Sequence, residues 1–264
     1  DIVFMKVNNY KEVQDSSNKY ISTVKLHSMM ESETMTLPYS YPCDNYMNTV
    51  FSNSLVREIL KSVIDNFYGN QVKEIEKRGL TVTDKNFPKL FQQIKYCCGA
   101  LSIIRQPMVI VTSQLKGINA LSIDNNGSPL ILMSKKSTVF LSDRELQFLL
   151  GHELGHIASE NLICHTVKGL LDNLKNKSDI IGPMASDLVD IPLHNWYRCN
   201  EFTADRAGLL CCRDLECVKK LFIKLFGDFH TTVSKEYYEL SADHPLPATR
   251  LKYLSEYFQE INKK

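Results

Sequence analysis

Ser142-Asp143-Arg144-Glu145-Leu146-Gln147-Phe148-Leu149-Leu150-Gly151-His152-Glu153-Leu154-Gly155-His156 is the stretch that decides how this chain is read. Ser142 with Glu145 three residues on fits a capping box, each side chain bonding the other residue's backbone N–H. The helix opened there should run through His156 to about Ser159. On it His152 and His156 stand four apart, so they project from one face and can hold a metal ion between them. Glu153 lies about 100° further round, close to that ion without being obliged to ligate it. Two imidazole ligands beside a carboxylate that can move a proton is the arrangement zinc-assisted peptide hydrolysis requires. Two satisfied surface histidines beside a solvated glutamate would be the bland alternative. The apolar-periodic helix and its cap favour the metal site.

A zinc site of this kind takes a third protein ligand and leaves the fourth position to water. After His156 the chain continues Ile157-Ala158-Ser159-Glu160-Asn161-Leu162, without the glycine and third histidine that a three-histidine site places there. A carboxylate on another helix is therefore expected. Glu201 and Asp205 are spaced i, i+4 in Glu201-Phe202-Thr203-Ala204-Asp205, and so are Glu239 and Asp243, so spacing alone does not choose. Glu201 is preferred because Ala204, Ala207 and Gly208 let its helix approach closely, whereas Glu239 stands beside a break at His244-Pro245. Asp205 could then accept the free N–H of a ligand histidine and fix its orientation.

Outward from this centre, the apolar spacing of Leu55, Ile59, Leu60, Val63, Ile64 and Phe67 predicts a helix over residues 54–75. A second helix is expected over 87–98, with Gly99 as its stop. The period then changes. Residues 108–111, 120–123, 130–133 and 138–141 read as short strands, with Asn125-Asn126-Gly127 as a turn. Residues 173–190 read as a loop or interrupted helix, Pro192 as the start of the helix carrying Glu201, and 214–226 and 247–258 as two more helices. The class expected is α+β, mainly helical, with a small sheet of three or four strands. Residues 1–50 read as an irregular arm or a pro-segment, and 51–264 as one catalytic domain.

Composition sets limits. The 264 residues carry 44% hydrophobic and 23% charged side chains and a formal charge of +1. That balance gives no electrostatic reason to expect nucleic acid as a partner. No apolar run approaches the ~20 residues needed to cross a bilayer, and no leader pattern opens the chain, so a soluble, cytoplasmic protein is expected. The eight cysteines include no Cys-x-x-Cys pair and read as free thiols in a reducing compartment. A thiolate from Cys43 or Cys199 capping the metal is the alternative.

Taken together, His152-Glu153-Leu154-Gly155-His156, then Glu201-Phe202-Thr203-Ala204-Asp205-Arg206-Ala207-Gly208, then His244-Pro245 with Arg250 six residues past that histidine, resemble the HtpX and CAAX prenyl protease family. Within it the small soluble catalytic domains called minigluzincins are similar in size. The resemblance covers residues 107–254 and implies a zincin-like fold whose edge strand borders the active-site cleft. It implies zinc ligands His152, His156 and Glu201, Glu153 as general base, and Asp205 as the carboxylate supporting a ligand histidine. It further implies His244 at the substrate carbonyl or oxyanion, Arg250 paired with the carboxylates, and Asn119-Ala120 at the edge where a peptide lies as an added strand. Membrane-embedded relatives carry long apolar spans, including between their two metal-binding segments. Here that interval holds Lys168, Asp172, Lys175, Lys177, Asp179 and Asp187, so membrane-bound trimming of prenylated proteins does not transfer.

The expected function is a zinc endopeptidase with one catalytic ion and a peptide or protein substrate. One alternative is a latent or regulatory zinc-binding module whose cleft is blocked by its own N- or C-terminal segment. Another is zinc-dependent hydrolysis of a small molecule.

Overall fold

The computed structural model describes residues 37–42, 73–125, 128–159, 162, 183–227 and 245–263. The catalytic-domain boundary expected near residue 50 and most of the helix expected over 54–75 lie outside them. So do Glu239, Asp243 and His244. The described residues form a mixed α+β unit, mainly helical, with one small four-stranded sheet.

In chain order the elements are β1 (Leu80–Thr81), α1 (Pro88–Ala100), β2 (Met108–Thr112), β3 (Ala120–Asn125) and β4 (Ser128–Ser134), then α2 (Lys135–Phe140), α3 (Asp143–Ala158), α4 (Pro183–Cys212), α5 (Leu215–Phe226) and α6 (Pro247–Ile261). The sheet runs β1-β2-β4-β3: β2 and β4 are parallel, and β1 and β3 are antiparallel to their neighbours. Asn125 pairs with Ser128, on either side of the Asn-Gly expected to turn. The strands alternate with period two. Val109, Val111, Ile131 and Met133 enter the main core, while Ile110, Leu130 and Leu132 form a smaller cluster with Ile123 on the other face. That burial on both faces explains why β2 and β4 read as continuous apolar runs.

Helix α3 is the axis of the unit. Ser142 Oγ accepts from the Glu145 N–H, and Glu145 Oε2 accepts from the Ser142 N–H at 2.8 Å, completing the capping box. Such a cap contributes about 1 kcal/mol. From Phe148 to His156 every residue is buried, so helices or sheet surround this helix on all sides. Two glycines set how closely α4 approaches. A Cβ on Gly151 would lie 2.7 Å from Cys211 Sγ, and one on Gly155 would lie 2.9 Å from Ala204 Cα.

Three expectations need correction. Residues 138–141 are not a strand but close α2, which Ser134 caps by accepting from the Ser137 N–H. The fourth strand is β1 instead. The helix carrying Glu201 starts at Pro183, and Pro192 lies within it. Cys199 is disulfide-bonded, while Cys97, Cys98, Cys211, Cys212 and Cys217 are free.

Residues 37–42, part of the arm expected from the sequence, pack on α4 and α6. The Tyr41 N–H donates to Thr203 Oγ1 at 2.9 Å, and Arg206 Nη1 donates to the Ser40 carbonyl at 2.8 Å. The Arg206 guanidinium lies between the Tyr41 and Tyr257 rings, 4.9 and 4.6 Å from their centroids.

Candidate metal centre

The close packing of α3 on α4 brings His152 and His156 against Glu201. All three are buried, and their ligand atoms lie within 4.8 Å of one another. The two Nε2 atoms are 3.1 Å apart, and His156 Nε2 is 3.3 Å from Glu201 Oε1. Zinc bound tetrahedrally at 2.0–2.1 Å separates its ligand atoms by about 3.3–3.4 Å, so the three side chains fit such an ion. Among the described residues this is the one group of three or more His, Cys, Asp or Glu side chains close enough to hold a metal.

The far side of each imidazole is also engaged. His152 Nδ1 lies 3.0 Å from Asp205 Oδ1, and His156 Nδ1 lies 2.5 Å from Asn200 Oδ1. Carboxylate and amide oxygens only accept, so each Nδ1 carries the proton and each Nε2 turns a lone pair inward. Two inward lone pairs and a carboxylate converge among buried side chains. A cation resolves that arrangement.

Arg250 on α6 balances the carboxylates. Its Nε and Nη2 donate to the two oxygens of Asp205 at 2.7 and 2.5 Å, and its Nη1 lies 3.3 Å from Glu201 Oε2. Its guanidinium also lies over the Phe222 ring at 5.1 Å. Burial works against the charge on Asp205, but Arg250 and then His152 outweigh it and hold the carboxyl below its ordinary range. Burial likewise opposes protonation of His156. Glu201 first, with Glu153 and Asn200, overcomes that and raises its pKa. A metal at His156 would therefore compete with a proton for Nε2, and its hold would weaken as pH falls.

Glu153 faces the sheet. Its Oε2 accepts the Ser122 backbone N–H at 2.7 Å. Ser122 is on β3, an edge strand of the sheet. Ala120, two residues earlier, directs its backbone groups to the same side of the strand as Ser122. The Asn119 side chain is exposed, and its backbone N–H donates to Ser137 Oγ at 2.8 Å. Ala120 thus opens the strand that reaches α3, Asn119 directly precedes it, and Ser122 makes the hydrogen bond to Glu153.

The family's profile, peptidase family M48, matches residues 84–258, which include α3, α4 and most of α6. The chain belongs to peptidase family M48. M48 peptidases are metal-dependent enzymes, and their metal is usually zinc. A plastoglobule-localized metallopeptidase 48, chloroplastic, of Arabidopsis thaliana is 25% identical over 173 residues. That match covers 55% of this chain and 50% of the relative, so the chain spans about half the length of the curated relative it matches. No solved structure matches. Among the described residues of this M48 chain, no helix is long and apolar enough to cross a membrane.

Two residues of the centre were not singled out by sequence reasoning. Asn200 carried a usable signal: a site with two ligand histidines needs two outer acceptors, and Asp205 supplies one. Ser122 carried none, since its contribution is a backbone N–H.

Proposed function

We propose that this chain is a zinc-dependent endopeptidase in which His152, His156 and Glu201 hold the ion and Glu153 carries the proton. The supporting observation is the buried convergence of the two Nε2 atoms and the Glu201 carboxylate, with Glu153 on the same helix facing the sheet edge. Zinc held there supplies Lewis acidity, acidifying water and polarising a carbonyl. Glu153 takes the proton of the attacking water and returns it to the leaving amine. The hydrogen bond from Ser122 keeps its carboxylate at the sheet edge during that transfer. Asp205 holds the His152 ring, and Arg250 keeps Asp205 charged and pairs with Glu201.

The substrate reading is part of the same proposal. An extended peptide pairs with the outer edge of β3 beside Ala120, with Asn119 at the end of that added strand. His244, on the family resemblance alone, contributes at the substrate carbonyl. The cytoplasmic setting is supported by five free cysteines among the described residues and opposed by the disulfide at Cys199.

Glu153→Ala tests the reading. It should retain one zinc per chain and lose about 100-fold or more of its turnover of casein. Wild-type turnover in that variant would contradict it.

A further inference from the structure

His152 and His156 leave the same helix for the same purpose, yet their outer nitrogens meet different chemistry. His152 donates to a carboxylate that Arg250 neutralises. His156 donates to a neutral amide, that of Asn200, which is 1% exposed and directly precedes Glu201. The other end of that amide is also engaged: Nδ2 donates to Ser159 Oγ at 3.0 Å, and Ser159 Oγ donates to the His156 carbonyl at 3.1 Å. The hydrogen bonds therefore leave the His156 ring, pass through Asn200 and Ser159, and return to the His156 backbone. Because Nδ2 serves as donor to Ser159, Oδ1 is the end turned to the ring.

We propose that Asn200 is a positioning residue for His156, fixing its tautomer and ring angle as a metal ligand, and that Ser159 in turn fixes the amide. This rests on the zinc reading above. An amide supplies the acceptor without adding another negative charge beside Glu201 and Asp205, both of which pair with Arg250. Asn200 also stands next to Glu201 on α4, so one helical turn sets both a ligand and the support of another ligand. A loose His156 ring would misplace its Nε2 relative to His152 and weaken the site, with α3 and α4 otherwise packed as before.

Zinc affinity, measured by competition with a chromophoric chelator, tests this on wild type, Asn200→Ala, Asn200→Asp and Ser159→Ala. Circular dichroism melts of the metal-free proteins and visible spectra of the cobalt-substituted proteins accompany it. Asn200→Ala should lose about 10–100-fold in zinc affinity and show altered cobalt bands, while melting close to wild type. Asn200→Asp, which keeps an acceptor for the ring, should recover most of the affinity, and Ser159→Ala should lose less than Asn200→Ala. Wild-type affinity in Asn200→Ala would overturn the proposal, as would an Asn200→Asp variant as weak as Asn200→Ala. If Asn200→Ala does not fold, Asn200→Asp and Ser159→Ala decide: a modest loss in both supports the proposal, and none in Ser159→Ala with a full loss in Asn200→Asp overturns it. A wild type that takes up no zinc would sink the zinc reading itself. That result is distinct from one in which wild type binds an ion and Asn200→Ala binds it equally well.

Discussion

The two faces of α4 bury side chains to opposite ends. The face toward α3 carries Asn200, Glu201 and Asp205 among Ala204, Ala207 and Gly208, so nearly everything on it is either small or able to hold a charge or a hydrogen bond. The face toward residues 37–42 and α6 carries Phe202, Thr203 and Arg206, locked by Tyr41, Tyr253 and Tyr257. Burying Glu201 and Asp205 with two imidazoles beside the Arg250 guanidinium is costly without a metal. An aromatic clamp around one arginine stabilises whether or not metal is bound. The inner face is shaped for chemistry and the outer face for holding α4 in place, and substitutions on the two should separate along that line.

The largest effect is expected on the inner face. Asp205→Ala leaves Arg250 buried without its fork of acceptors and frees the His152 ring. It should destabilise the fold by about 3 kcal/mol and weaken zinc by about 10-fold or more. Chemical denaturation and chelator competition on one preparation measure both losses. A loss of stability with full zinc affinity would erase the division between the faces.

Arg206→Ala probes the outer face. It removes two ring contacts and the bond to the Ser40 carbonyl, and should cost about 1–2 kcal/mol in denaturation with zinc affinity unchanged. Weakened zinc binding in this variant would show that the outer face also tunes the site.

The smallest effect lies outside both faces, at the start of α3. Burial works against the charge on Glu145, but the Lys224 ammonium and the Ser142 N–H and hydroxyl overcome it and lower its pKa below the ordinary 4.5. A carboxylate depressed in the folded state stabilises fully above its unfolded pKa and loses that contribution as pH falls through the folded value. Wild type should exceed Glu145→Gln by about 1 kcal/mol near neutral pH, with the gap closing below about pH 4.5. A gap that persists unchanged in acid would contradict the assignment to Glu145.

Much of this was legible before any coordinates. The Ser142–Glu145 box marked the start of α3, and the small residues 204, 207 and 208 marked the close approach of a second helix. Local chemistry misled where tertiary context outweighed it. Thr138-Val139-Phe140 is β-prone, yet Ser134 caps it into α2 and leaves Val139 and Phe140 largely exposed. Pro192 read as a helix start because proline is favoured there, but Pro183 holds that position in α4. Asn200 could have been found by asking what the second histidine donates to. Ser122 could not, because any residue in that register of β3 would offer the same N–H.

The central claim is that His152, His156 and Glu201 form one metal site. Metal analysis of wild type beside Glu201→Gln, after dialysis against a weak chelator, tests it most directly. One zinc per wild-type chain and almost none in the variant is the predicted result; equal zinc in both, or none in either, would contradict it.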